Sequence, residues 1–193
     1  TETAKVAGEH VPIRPGTDLW FYLSFLREVL RSGRLDRERI ARHTTGFARL
    51  GPLVDPWPPE RTQAVTGVPA ETLRRLVTAY LEADGAALYC STGVNMGGAG
   101  VLCFWLQEVI NAITGNLDRA GGTLVGRGVM DFPKFGAKSG VLLRDDRSRV
   151  GDLPSVNDAF PGGVLADECL TPGARQVRAH FVTGGNTLLT MPG

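Results

Sequence analysis

An α/β domain with parallel strands is the fold class this sequence predicts, and three observations predict it. Helix, short apolar strand, glycine-containing loop and buried helix follow one another over residues 70–114, an order that lays helices against a parallel sheet. Glycine and proline are too abundant for a helical bundle: 25 Gly and 12 Pro stand in 193 residues, about one residue in five where one in eight is usual. With 42% hydrophobic and 21% charged residues, the chain has the balance of a folded protein, which excludes collagen-like and disordered classes.

Each element has a local cause. After Gly16-Thr17-Asp18, the residues Leu19, Tyr22, Leu23, Leu26, Val29 and Leu30 recur at steps of three and four until Ser32-Gly33, which predicts a helix. Phe21 and Phe25 make its opposite face apolar too, so burial on more than one side is expected. A short helix from Asp36 to about His43 turns Leu35 and Ile40 inward. The proline-rich stretch 51–59 is expected to form no regular element, because proline removes donors and biases its neighbours to extended geometry. Pro69 and Glu71 open a third helix with the stripe Leu73, Leu76, Val77, Tyr80 and Leu81, stopped by Asp84-Gly85. Ala86 to Cys90 has the length and composition of a strand, and Val101 to Thr114 reads as a nearly all-apolar helix in which Phe104 and Trp105 pack. From Leu117 to about residue 160 surface loop is expected, before Val177 to Thr183 alternates like a second strand.

The charge is nearly balanced, with 21 Lys and Arg against 20 Asp and Glu, so no basic face points to nucleic acid. Cys90, Cys103 and Cys169 are odd in number and widely spaced, which fits neither a disulfide framework nor a compact zinc site and favours a reducing, cytoplasmic setting. His10, His43 and His180 lie at no metal-ligand spacing. No run approaches the roughly 20 apolar residues that span a bilayer. The chain opens without Met or a signal peptide, so a cut or processed chain is expected.

Both predicted strands run into glycine-containing loops, at Gly93 to Gly100 and at Gly184 to Asn186, and ligands of parallel α/β sheets bind at the carboxyl ends of strands. Glycine allows close backbone approach, and the open N–H groups of the helix after Gly100 suit a phosphate. The other reading is a pair of tight turns, since neither loop has the spacing of a dinucleotide or triphosphate fingerprint. Gly16-Thr17-Asp18 has two readings as well. Thr and Asp are strong helix caps, while a short carboxylate can also accept two parallel N–H bonds from one edge of guanine.

Taken in order, Ile13-Arg-Pro-Gly-Thr-Asp18, Val65-Thr-Gly-Val-Pro-Ala-Glu71, Gly93-Val-Asn-Met96, Ile113-Thr-Gly-Asn-Leu-Asp-Arg-Ala-Gly-Gly122 and Phe181-Val-Thr-Gly-Gly-Asn186 resemble the molybdopterin oxidoreductases of the dimethyl sulfoxide reductase type. The resemblance covers nearly the whole chain. It implies Rossmann-like three-layer lobes, with residues 1–128 forming the C-terminal part of one and residues 129–193 part of a second. It implies two molybdopterin guanine dinucleotides holding molybdenum or tungsten between the lobes, and two-electron redox or oxygen-atom transfer on a small substrate of the formate dehydrogenase or nitrate reductase kind. By similarity Gly16, Thr17 and Asp18 bind a guanosine end, Thr92, Gly93, Asn95 and Met96 approach the pterin dinucleotide, and Asn186 does so from the other lobe. The family often has Gln where Met96 stands, which leaves backbone contact there. Arg127 lines up with an arginine that points at the metal in formate dehydrogenases, a catalytic role set against a loop-anchoring ion pair.

The family's iron-sulfur cysteine cluster and its metal-ligand residue have no counterpart in these 193 residues. The three cysteines read as small hydrophobes. The chain is therefore expected to be an internal fragment, inactive by itself, whose partners are a small-molecule substrate, the remainder of its own polypeptide and an electron-transfer subunit. No nucleic acid or membrane contact is expected of this segment. A non-catalytic nucleotide-binding or structural α/β module is the alternative from another class, and an NAD-dependent dehydrogenase is a third.

Overall fold

The computed structural model describes residues 2–126, 128–140, 144–156 and 159–190. The chain divides into two compact units, Thr1–Val125 and Gly126–Gly193. In the first, α1 (Glu2–Val6), α2 (Asp18–Ser32), α3 (Arg37–His43), α4 (Leu50–Val54), α5 (Pro59–Thr66), α6 (Ala70–Glu82), α7 (Thr92–Asn95) and α8 (Gly100–Ile113) follow in order. The second contains α9 (Phe132–Ser139), α10 (Leu165–Leu170) and α11 (Thr187–Thr190). No described helix is long and apolar enough to cross a membrane.

The core of the first unit forms where α2 meets α5, α6 and α8. Its centre is Phe25, Leu26, Val29, Leu73, Leu106 and Ile110, all buried, and Phe25 meets Tyr80 edge-on with ring centroids 5.6 Å apart, a favoured aromatic geometry. Helix α2 is buried on more than one side, as its two apolar faces predict, with Tyr22, Leu23, Phe25, Leu26 and Val29 all covered. Gly33 ends it in the left-handed conformation.

Three expectations change. Stretch 51–59 is not irregular throughout: Pro52 lies in the first turn of α4, where no donor is needed, while buried Leu50 and Val54 anchor that turn. Pro59 then starts α5. The helix at residues 100–113 is not buried all round, since Val101 is 89%, Phe104 50% and Trp105 43% exposed. Trp105 packs only partly, lining a cavity of about 510 Å³ with Phe47, Leu53 and Val109. Helix α9 interrupts the expected long loop because Asp131 accepts from the Lys134 N–H and caps its start.

The largest correction concerns the strands. Among the described residues there are isolated bridges and no strand ladder. Residues 86–90 belong to no helix or strand, and burial alternates along them, with Cys90 buried and Tyr89 80% exposed. Side chains supply the partners of this segment. Asn111 accepts from the Leu88 N–H (3.1 Å) and donates to the Leu88 carbonyl (3.1 Å), and Asn116 accepts from the Ala86 N–H (3.2 Å). Buried backbone groups must find partners, and an amide side chain offers the same donor and acceptor as a peptide. Residues 177–183 likewise belong to no helix or strand and are exposed beyond Val177, Phe181 reaching 90%.

Charge organises the second unit more than apolar packing does. The Glu168 carboxylate accepts from the Val150 N–H (2.9 Å) and from Arg149 Nε (3.0 Å), and Arg149 also donates to the carbonyls of Glu168 and Thr171 at the end of α10. The Val150 N–H chiefly, with Arg149, holds this carboxyl below its ordinary value against an opposing push from burial. A carboxyl depressed by folding contributes stability above its unfolded value, about 4.3, and that contribution is lost as pH falls through the folded value. Acid titration followed by amide exchange at Val150 is therefore expected to show this segment loosening below about pH 4, a component that Glu168→Gln abolishes. Persistence of the component in Glu168→Gln would assign it to another group.

Candidate functional site

The segment before α2 is built around Arg14. Its backbone N–H donates to the Thr66 carbonyl (2.8 Å), and its guanidinium donates to the Ala64 and Val65 carbonyls, covering the exposed end of α5. From this anchor a turn closes with the Thr17 N–H on the Arg14 carbonyl (3.3 Å). Pro15 and Gly16 occupy its centre, and Gly16 takes φ of 76°, the pairing that a type II turn requires.

Thr17 does not cap α2 with its side chain, contrary to the local reading, because its hydroxyl donates to the Arg14 carbonyl at 2.7 Å. Asp18 is the first residue of the helix and half-buried. Its carboxylate has no hydrogen-bond or ion-pair partner among the described residues.

Residues 91–100 form the second candidate loop. Helix α7 carries Thr92, Gly93 and Asn95, and Met96 follows, 67% exposed. The Asn95 amide is turned back onto Cys90. It accepts from the thiol (3.2 Å) and donates to the Cys90 carbonyl (3.4 Å). Burial pushes the Cys90 thiol up, with Glu108 and Asp18 adding to it, so the proton that makes this bond stays in place at neutral pH. Burial likewise raises Cys103, with Asp18 and Cys90 adding. Both thiols are thus small buried groups, and no metal-binding cluster of His, Cys, Asp and Glu occurs among the described residues.

Where α8 begins, the Val101 and Leu102 N–H groups find no backbone acceptor among the described residues, so the positive end of a 14-residue helix is open. The glycines of this loop differ in kind. A Cβ at Gly100 would stand 2.1 Å from the Asn95 carbonyl oxygen, whereas one at Gly93 would meet nothing within 4 Å. Packing explains the first and leaves the second free to serve a ligand.

Asn186 lies in the second unit, exposed, with its carbonyl accepting from the Leu189 N–H at the start of α11. Arg127 lies outside the described residues. The segment Ile113 to Gly122 is structural: Asn116 is 6% exposed, bonded through its backbone to Asn111 and Thr123 and through its side chain to Ala86 and Thr114. Asn111, Asn116, Arg14 and Cys90 were absent from the sequence-derived site. Asn111 had a signal there, as a polar residue in an otherwise apolar helix.

No family model matches the chain. Biotin sulfoxide reductase of Cereibacter sphaeroides is 32% identical over 94% of this chain and 26% of its own length. The F420-dependent formate dehydrogenase 2 subunit alpha of Methanococcus maripaludis is 30% identical over 63% of this chain and 18% of its own length. The solved structure of acetylene hydratase from Pelobacter acetylenicus shares the fold over 60% of this chain and 16% of its own length, with a TM-score of 0.56 at 23% identity. The chain thus spans about a quarter or less of the length of these proteins. Ordered motifs and relatives agree, and the chain belongs with the molybdopterin oxidoreductases, matching part of their length.

Proposed function

We infer that this chain supplies guanine dinucleotide contacts to a molybdenum- or tungsten-dependent oxidoreductase acting on a small substrate, of the formate dehydrogenase or nitrate reductase kind. The observation that carries this reading is the Asp18 carboxylate, half-buried at the start of α2 with no hydrogen-bonding partner among the described residues. The residues fit the group. An acceptor stands ready for the donors on one edge of guanine, and open N–H groups at the start of α8 suit the pyrophosphate.

When bound, the metal and its pterins supply the two-electron or oxygen-atom transfer; this chain's residues bind and orient. Gly16 and Thr17 shape the turn that presents Asp18. Thr92, Gly93 and Met96 offer backbone to the dinucleotide, and Asn95 holds that backbone in place through Cys90. Asn186 serves the second lobe, and Arg127 offers a planar cation to an anionic substrate or oxo group. In this reading residues 1–128 and 129–193 are parts of two Rossmann-like lobes, and the alternating burial of residues 86–90 supports a strand there. An iron-sulfur cluster, the metal ligand and an electron-transfer subunit belong to the rest of the assembly.

Asp18→Asn in the complete protein tests the reading. The amide replaces one carboxylate acceptor by a donor that faces the guanine donors, so bound guanine nucleotide and molybdenum are expected to fall by roughly tenfold or more, with the unfolding temperature of the cofactor-free protein nearly unchanged. Full occupancy in Asp18→Asn would remove the assigned role.

A further inference from the structure

A cavity of about 450 Å³ lies wholly within the second unit, and four arginines, Arg144, Arg147, Arg149 and Arg175, line it. Two carboxylates, Asp146 and Glu168, share the wall, so positive charge is in excess. Its volume falls in the lower part of the range usual for small-molecule sites, about 300–1,000 Å³.

Three of the guanidiniums are held in place. Arg144 makes a two-point pair with Asp146 (2.6 and 3.0 Å) and lies 4.2 Å over the Phe160 ring. Arg147 donates to the Asp152 carbonyl and pairs with its carboxylate at 3.0 Å. Arg149 is committed to Glu168 and Thr171. Arg175 differs. It is exposed, and no carboxylate stands within ion-pair distance of it among the described residues. Its backbone φ of 59° is the left-handed region that a non-glycine residue seldom occupies, so the chain holds an uncommon conformation where this cation meets the cavity. Phe160, Val164, Leu165 and Val177 add apolar surface to the lining.

We propose that this cavity binds a small organic carboxylate with an apolar body, the carboxylate on Arg175 beside Arg144 and the body against Phe160 and Val177. A guanidinium fork matches a planar carboxylate through two parallel bonds, and the apolar surface selects against a bare inorganic anion. The site is independent of the cofactor reading above.

The test is calorimetric titration of the whole chain with benzoate, with benzyl alcohol and inorganic phosphate as comparison arms, and with Arg175→Gln, Arg144→Gln and Arg178→Gln. Arg178 is exposed but does not line the cavity. The expected result is saturable benzoate binding that weakens with salt, falls roughly tenfold in Arg175→Gln and Arg144→Gln, and is unchanged in Arg178→Gln. Absence of saturable benzoate binding, an equal affinity for benzyl alcohol or for phosphate, or unchanged binding in Arg175→Gln would each overturn the proposal.

Discussion

Asn111→Leu is expected to destabilise the first unit by about 3 to 5 kcal/mol, the cost of stranding several buried polar groups at once. Asn111 is fully buried, accepts from the Tyr80 hydroxyl at 2.9 Å and from the Leu88 N–H, and donates to the Leu88 carbonyl. Leucine keeps the branching at Cγ, is bulkier, and removes all three bonds. The Tyr80 hydroxyl retains Thr114 at 3.1 Å, which keeps the loss below a simple count of partners. Urea unfolding followed by tryptophan fluorescence measures it, because Trp20, Trp57 and Trp105 all lie in this unit. A drop in midpoint without a change in slope, together with faster amide exchange at Leu88, is the expected result. A loss under 1 kcal/mol would mean that water satisfies segment 86–90 without help.

Gly100→Ala and Gly93→Ala are expected to move in opposite directions. At Gly100 a methyl group would press on the backbone carbonyl of Asn95 at 2.1 Å, so the loop or the start of α8 must shift, at a cost of roughly 2 to 4 kcal/mol. Position 93 is helical and open, so alanine there is expected to leave stability unchanged or raise it by about 0.5–1 kcal/mol. The same open methyl would stand where the dinucleotide approaches, so Gly93→Ala in the complete protein is expected to lose cofactor while the fold gains. Thermal unfolding of both variants, with guanine nucleotide content of the second, separates a packing glycine from a ligand-facing one. Retained nucleotide in Gly93→Ala would show that this face of the loop does not meet the cofactor.

Periodicity made the long helices legible. Leu73, Val77 and Tyr80 repeat at helical spacing and are buried together. The helix end at Ser32-Gly33 follows equally from residue type, Gly33 taking the left-handed conformation. Proline was the weaker guide, since its meaning depends on position: Pro52 in the first turn of α4 breaks nothing, and Pro59 begins α5. An apolar run such as Val101 to Ile113 does not say which of its faces will be covered, and half-exposed Phe104 and Trp105 show that α8 is covered on one side in this chain.

What the sequence by itself determined is the long helices α2, α6 and α8, the identity of the candidate loops and the kinship carried by their order, because each depends on residues near one another in the chain. What only the tertiary structure decided is how distant groups satisfy one another. Segment 86–90 takes its partners from Asn111 and Asn116, Thr17 spends its hydroxyl on Arg14, and Asn95 is held by Cys90. A buried backbone donor requires an acceptor but does not name one, so the choice between a neighbouring strand and an amide side chain is made by what packing brings within reach.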